Sequence, residues 1–214
     1  MVRRAALSTA LLPTTPLRTT PLVLPARGLS TLTSYVGRPV LDGRGRRLGR
    51  VADLVAGCLG EHHPPVTGLI VRARRRESFV ALPRVASVTP RGIVLGPGST
   101  SDGFDRRDGE FLLRGDLLDR QIVDDNGRRV TRASDLWLAS TDDDVRLDDL
   151  RLVGVDVSLR ALVRRLLPAR RRAPGGVDQA PARVVDWAFV RPLTDGVGPV
   201  RLQAGLACTG AVPA

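Results

Sequence analysis

The chain has 214 residues, 43% of them hydrophobic but only 3% aromatic, and a formal net charge of +11. That length suits one medium domain or two small ones with cores built from Val, Leu and Ala; no apolar run approaches the roughly 20 residues of a membrane-spanning helix. Every basic side chain is Arg and none is Lys, which excludes a phosphate loop ending in Lys and reads as a compositional bias more than as the footprint of a nucleic-acid partner.

In chain order, residues 1–28 come first, with Arg3, Arg4, Arg18 and Arg27, no acid, and much Ser, Thr and Pro. The apolar run after Arg3-Arg4 is broken by Ser8 and Thr9 and ended by Pro13, so a targeting role is weaker than a disordered leader outside the fold. Cys58 and Cys208 are too few and too far apart for a disulfide framework, and a reducing, cytoplasmic setting is expected.

The dominant feature beyond the leader is an internal repeat. Arg38-Pro-Val-Leu-Asp42 through Asp53-Leu54 aligns without gaps to Arg120-Gln-Ile-Val-Asp124 through Asp135-Leu136, with Arg, Asp, Gly and Leu at matching places. Val40-Leu41 is a strand end, Asp42-Gly-Arg-Gly45 a turn, and Arg47–Leu54 alternates polar and apolar residues as a half-buried strand does. Asp42 is suited to accept the turn amides and Gly45 to take positive φ. The second copy replaces this turn with Asp124-Asp-Asn126-Gly127, a strong hairpin signal.

The match continues downstream. Val66–Val71 corresponds to Leu152–Val157, and Ser78–Val85 to Val184–Val190. Only the second unit carries an insertion, Ser158–Leu167, where Ser158 is placed as an N-cap and apolar residues recur at helical spacing up to Pro168. This short helix fits packing across a barrel, and its basic face leaves peripheral membrane contact as an alternative. The expected organisation is a leader (1–28), unit one (29–100), unit two (111–194) and a tail (195–214). The expected fold is mainly β: two small, strongly bent β-barrels in tandem with a short helix in the second.

The residues Gly37-Arg-Pro-Val40, Asp42, Gly45, Leu48-Gly49, Val51 and Asp53-Leu54 resemble the PRC-barrel family. The likeness is greatest to the paired PRC-barrels of actinobacterial proteins that continue into MgtE-type magnesium-transporter intracellular and CBS domains. Their second unit is similar to Leu117–Asp124, Val153–Val157 and Asp186-Trp187. The resemblance covers roughly 29–193 and implies the fold and a regulatory setting, with no shared catalytic residues to transfer. The segment 197–214 does not continue into a CBS-like region, which also permits reading the chain as a truncated remnant of a larger protein.

Candidate sites are sparse. Cys58, Glu61, His62 and His63 form a single ligand cluster, whereas structural zinc takes two spaced pairs, so this stretch reads as an exposed loop. Asp142–Asp144 with Asp148-Asp149 suits a solvated tip and lacks the alternation of a calcium loop. No Gly-x-Ser-x-Gly or Cys-His context supports nucleophilic catalysis. Trp137 and Trp187 are expected in the interior. No catalytic, cofactor-binding or metal residue is therefore assigned. The expected function is a non-enzymatic regulatory module with a protein partner, beside a magnesium-transporter-type system; the alternative is a ribosome- or RNA-associated assembly factor.

Overall fold

A computed structural model of the chain describes residues 28–57, 61–97, 102–124, 130–140, 147–158 and 184–192. Outside them lie residues 1–27 of the expected leader, the turn at 125–129, the acidic run 142–144, the expected helix after Ser158, both cysteines and the tail.

The chain is mainly β. It opens with β1 (Ser30–Thr31), a single helical turn α1 (Leu32–Tyr35), β2 (Pro39–Leu41), β3 (Arg47–Ala56), β4 (Val66–Ala73) and β5 (Arg76–Ala81). After a 3-10 turn at Leu82–Arg84 come β6 (Val85–Thr89), β7 (Gly92–Leu95), β8 (Asp102–Gly103) and β9 (Phe111–Leu112). A π turn at Leu113–Leu117 leads into β10 (Gln121–Asp124), β11 (Val130–Arg132), β12 (Asp135–Ser140) and β13 (Leu150–Asp156). Last are β14 (Val184–Asp186), a 3-10 turn at Trp187–Phe189, and β15 (Val190–Pro192). No helix among the described residues is long and apolar enough to cross a membrane.

The first hairpin forms as its residues dictate. Asp42 Oδ1 accepts from the Arg44 and Arg46 amides at 2.9 and 2.8 Å, and Gly45 sits at φ 78°. Donation from the Arg46 amide, foremost, holds the Asp42 carboxyl below its ordinary value. The alternation read over Arg47–Leu54 holds only at the start of β3. From Val51 to Ala56 every residue is buried, because the register shifts between Val51 and Asp53 and a second layer covers the outer face. Ala52, Val55 and Ile70 pack there beneath Phe79, Phe104 and Leu112.

The two repeats agree bond for bond. Asp53, Leu54 and Val55 of β3 face Ile70, Leu69 and Gly68 of β4, while Asp135, Leu136 and Trp137 of β12 face Asp156, Val155 and Gly154 of β13. The Gly37 amide donates to Val51 O at 2.8 Å and the Asp119 amide to Ala133 O at 2.9 Å. Both donors have positive φ, 83° and 65°. One difference is plain: the continuous β3 corresponds to two strands in the second unit, β11 and β12, separated at Ala133-Ser134.

Glycine at position 68 is required by this pairing. A β-carbon there would overlap the Phe79 ring and come within 2.7 Å of the Val80 carbonyl oxygen. Gly68→Ala is expected to destabilise the chain by about 1–3 kcal/mol, read from urea or thermal unfolding.

The units are not self-contained. The opening strand of the first unit lies on the second, where β1 pairs with β12, and the opening strand of the second lies on the first, where β9 pairs with β3. The sheets follow from this exchange. One runs β6-β7-β2-β3-β4-β5-β8 with β9 on the free edge of β3; the others run β1-β12-β13-β14 and β11-β10-β15. None of these ladders closes into a ring: β5 passes to β6 through the turn at Leu82–Arg84, and the two strands do not pair. Nor does each unit keep a separate interior. A single apolar cluster joins Leu54, Leu69 and Ile93 to Leu32, Leu136, Leu138 and Leu152. Trp137 and Trp187 are both buried, at 0% and 3% exposure.

Candidate functional site

Two buried carboxylates fix the exchanged segments. Asp53 Oδ1 accepts from the Leu54 and Arg114 amides, both at 2.7 Å, and its Oδ2 from Gly115 N at 2.9 Å. Asp135 repeats the arrangement, with Oδ1 accepting from Leu136 N at 2.9 Å and Thr33 N at 3.3 Å, and Oδ2 from the Thr33 hydroxyl at 2.6 Å. The Asp recurring between repeats therefore carries a structural duty.

Burial pushes the Asp53 carboxyl above its ordinary value, opposed by the Arg114, Gly115 and Leu54 amides and by the Arg114 charge. The folded chain thus holds this proton more tightly than the unfolded one. The stability it contributes is present below pH 3.8, the ordinary value, and is lost as pH rises through the raised value. Asp53→Asn cannot titrate. The melting temperature of the native chain relative to this variant is expected to fall as pH rises above about 4; a pH-independent difference in calorimetry contradicts it.

Ala52 and Arg114, the neighbours of Asp53 in chain and hydrogen bonding, border an open groove of about 700 Å³. Its wall is built from three stretches: Val36-Gly37 with the first half of β3, the Arg72–Arg74 end of the β4–β5 hairpin, and Arg114 on the π turn that Asp53 pins. Five arginines line it (Arg47, Arg50, Arg72, Arg74 and Arg114) with no carboxylate and no aromatic ring in the lining. Gly49 makes the wall thin. A β-carbon there would come within 2.7 Å of the Arg72 carbonyl oxygen, so only glycine lets the two strands approach this closely.

Most of these guanidinium groups are held at one corner and open at the other. Arg50 Nη1 donates to Gly37 O at 2.7 Å, Arg114 Nη1 to Ala52 O at 3.4 Å, and Arg47 Nε to Gly49 O at 3.5 Å. Arg72 Nε donates to Glu77 Oε1 at 2.7 Å, and its Nη2 pairs with the same oxygen. Arg74 makes no hydrogen bond or ion pair among the described residues. It sits at φ 56° in the two-residue turn joining Ala73 to Arg76, a region that a side chain occupies at a cost of about 1 kcal/mol. The neighbouring carboxylates are engaged already, Glu77 by Arg72 and Asp53 by backbone amides. The arrangement can bind an anion: forked N–H donors in fixed orientations match oxyanions in pairs.

The sequence shows Arg74–Arg76 as a dense run of positive charge that reads, on its own, as a solvated face. It gave no sign that Arg47, Arg50 and Arg114 share that face, because they lie on separate segments.

Of the Cys58–His63 stretch only Glu61–His63 lies among the described residues, and it is not wholly an exposed loop. Glu61 and His62 are exposed, but His63 is half-buried, and its Nε2 lies 3.1 Å from Asp186 Oδ1, an oxygen that also accepts from the Ala188 amide at 2.9 Å. Arg151 Nη1 donates to His63 O at 3.0 Å, and the Leu152 amide to Pro64 O at 3.0 Å. This loop clasps the first unit to the β13–β14 edge. Among the described residues no group of three or more His, Cys, Asp or Glu side chains is placed to hold a metal ion. No family model matches the chain, and no curated protein matches its sequence.

Proposed function

We propose that the chain is a non-enzymatic binding module of two PRC-barrel-like units that engages an anionic partner through its arginine groove. The observation carrying this reading is the convergence of five arginines, and of no carboxylate, on one open cavity. Such clustering of like charge is unfavourable in the free protein and is relieved when an anion binds. The sequence resemblance supports the PRC-barrel-like description, and the bond-for-bond agreement of the two repeats supports two related units. It extends the reading to a cytoplasmic, magnesium-transporter-type setting. A base-reading RNA partner is less well supported, because no ring lines the groove to stack a base.

The test is fluorescence anisotropy with a labelled oligoglutamate against the full chain. Binding is expected at low salt and is expected to weaken steeply as salt is added. Arg74→Gly separates function from folding. It relieves the positive-φ strain, so the melting temperature is expected to hold or rise by a few degrees, while affinity falls about tenfold with the loss of one charge-assisted contact. Equal affinity in native chain and variant overturns the assignment of the groove.

A further inference from the structure

We infer that the groove's ligand is an oligophosphate, recognised by its phosphates and not by any base or polypeptide attached to them. This rests on the groove being the binding surface and adds the chemical class of what fills it.

The cavity's form is the first argument. At about 700 Å³ this open groove falls within the size range of small-molecule sites. The donors are the second. Arginine presents its N–H groups as a planar fork, and two adjacent phosphate oxygens accept such a fork side by side. Among the described residues Arg47, Arg50 and Arg114 each use a single donor on a backbone carbonyl, and Arg74 uses none, so most of their N–H groups are open to reach several oxygens at once. A chain of linked phosphates concentrates charge enough to meet the four arginines not committed to Glu77 within so small a volume. A polypeptide carries its carboxylates one per residue and spreads the same charge over a longer span.

The third argument comes from what else lines the cavity. Val36, Leu48, Val51, Ala52 and Ala73 supply apolar floor without a ring or a carboxamide. A nucleobase would find no aromatic ring to stack on. Arg114 adds a structural link: its amide donates to Asp53 at 2.7 Å, so this lining residue sits on a braced turn and not on a free loop.

Isothermal titration of the full chain with inorganic tripolyphosphate, ATP, oligoglutamate and phosphatidylserine vesicles tests the assignment. Tripolyphosphate is expected to bind, ATP to match it within about threefold, and oligoglutamate and vesicles to bind at least tenfold more weakly. Arg47→Ala and Arg74→Gly are each expected to weaken tripolyphosphate about tenfold, while Arg91→Ala, on the exposed β6–β7 turn outside the groove, leaves it unchanged. Oligoglutamate binding as tightly as tripolyphosphate overturns the phosphate assignment and leaves the anion-binding reading standing. A strong preference for ATP or for vesicles also overturns it, in favour of a base or a membrane surface. Binding of none of the four overturns both readings.

Discussion

Asp135→Ala is expected to lower stability by about 3–5 kcal/mol, which for a chain of this size is a drop of roughly 10 °C or more in melting temperature. The carboxylate is 0% exposed and accepts from the Thr33 amide, the Thr33 hydroxyl and the Leu136 amide. Truncation leaves those donors buried without this acceptor, and an unmet buried donor costs about 1–3 kcal/mol. It also empties the space the carboxylate filled between α1 and β12. Thr33→Ala removes the 2.6 Å hydroxyl contact from the other side and is expected to cost less, about 1.5–3 kcal/mol. A melting temperature for Asp135→Ala within about 2 °C of the native chain would show that the carboxylate does not fix the crossing.

Leu32→Ala carries the second large effect, about 2–5 kcal/mol, for a different reason. Leu32 is fully buried and belongs to the cluster that includes Leu136, Leu138 and Leu152, although by sequence it opens the first unit. The location of the damage is therefore diagnostic. Hydrogen exchange is expected to rise in β12 and β13 as well as in β2 and β3, because one cavity opens into an interior shared by both units. Two independent barrels predict loss of protection in the first unit alone. The double variant with Asp135→Ala is expected to be less than additive, since both changes loosen the docking of the same short segment.

The repeat was the most legible part of this fold. The match of Asp53-Leu54 to Asp135-Leu136 and of Val66–Val71 to Leu152–Val157 predicts which residues face one another, and the strand registers agree with it. The Asp42 turn and the burial of both tryptophans were legible for similar reasons, since they depend on residues close in sequence or on one large side chain. Alternating apolar residues say that a face is covered without saying what covers it. Thus the sequence pointed to two self-contained closed units, whereas β1 lies on β12, β9 lies on β3, and the ladders stay open. The groove was illegible for a related reason. Each of Arg47, Arg72 and Arg114 reads singly as a solvated charge, and their common target appears only once three segments are assembled.

The exchange of leading segments sets an order of events during synthesis. The Thr33 contact with Asp135 spans 102 residues and the Gly115 contact with Asp53 spans 62. A nascent chain that has just completed β7 still lacks the strand that borders the second half of β3, and α1 waits longer still for β12 to leave the ribosome. Contacts so distant in sequence close slowly, so on translation this chain is expected to acquire its native interior late and nearly all at once, with the apolar edge of β3 unprotected until the second half arrives.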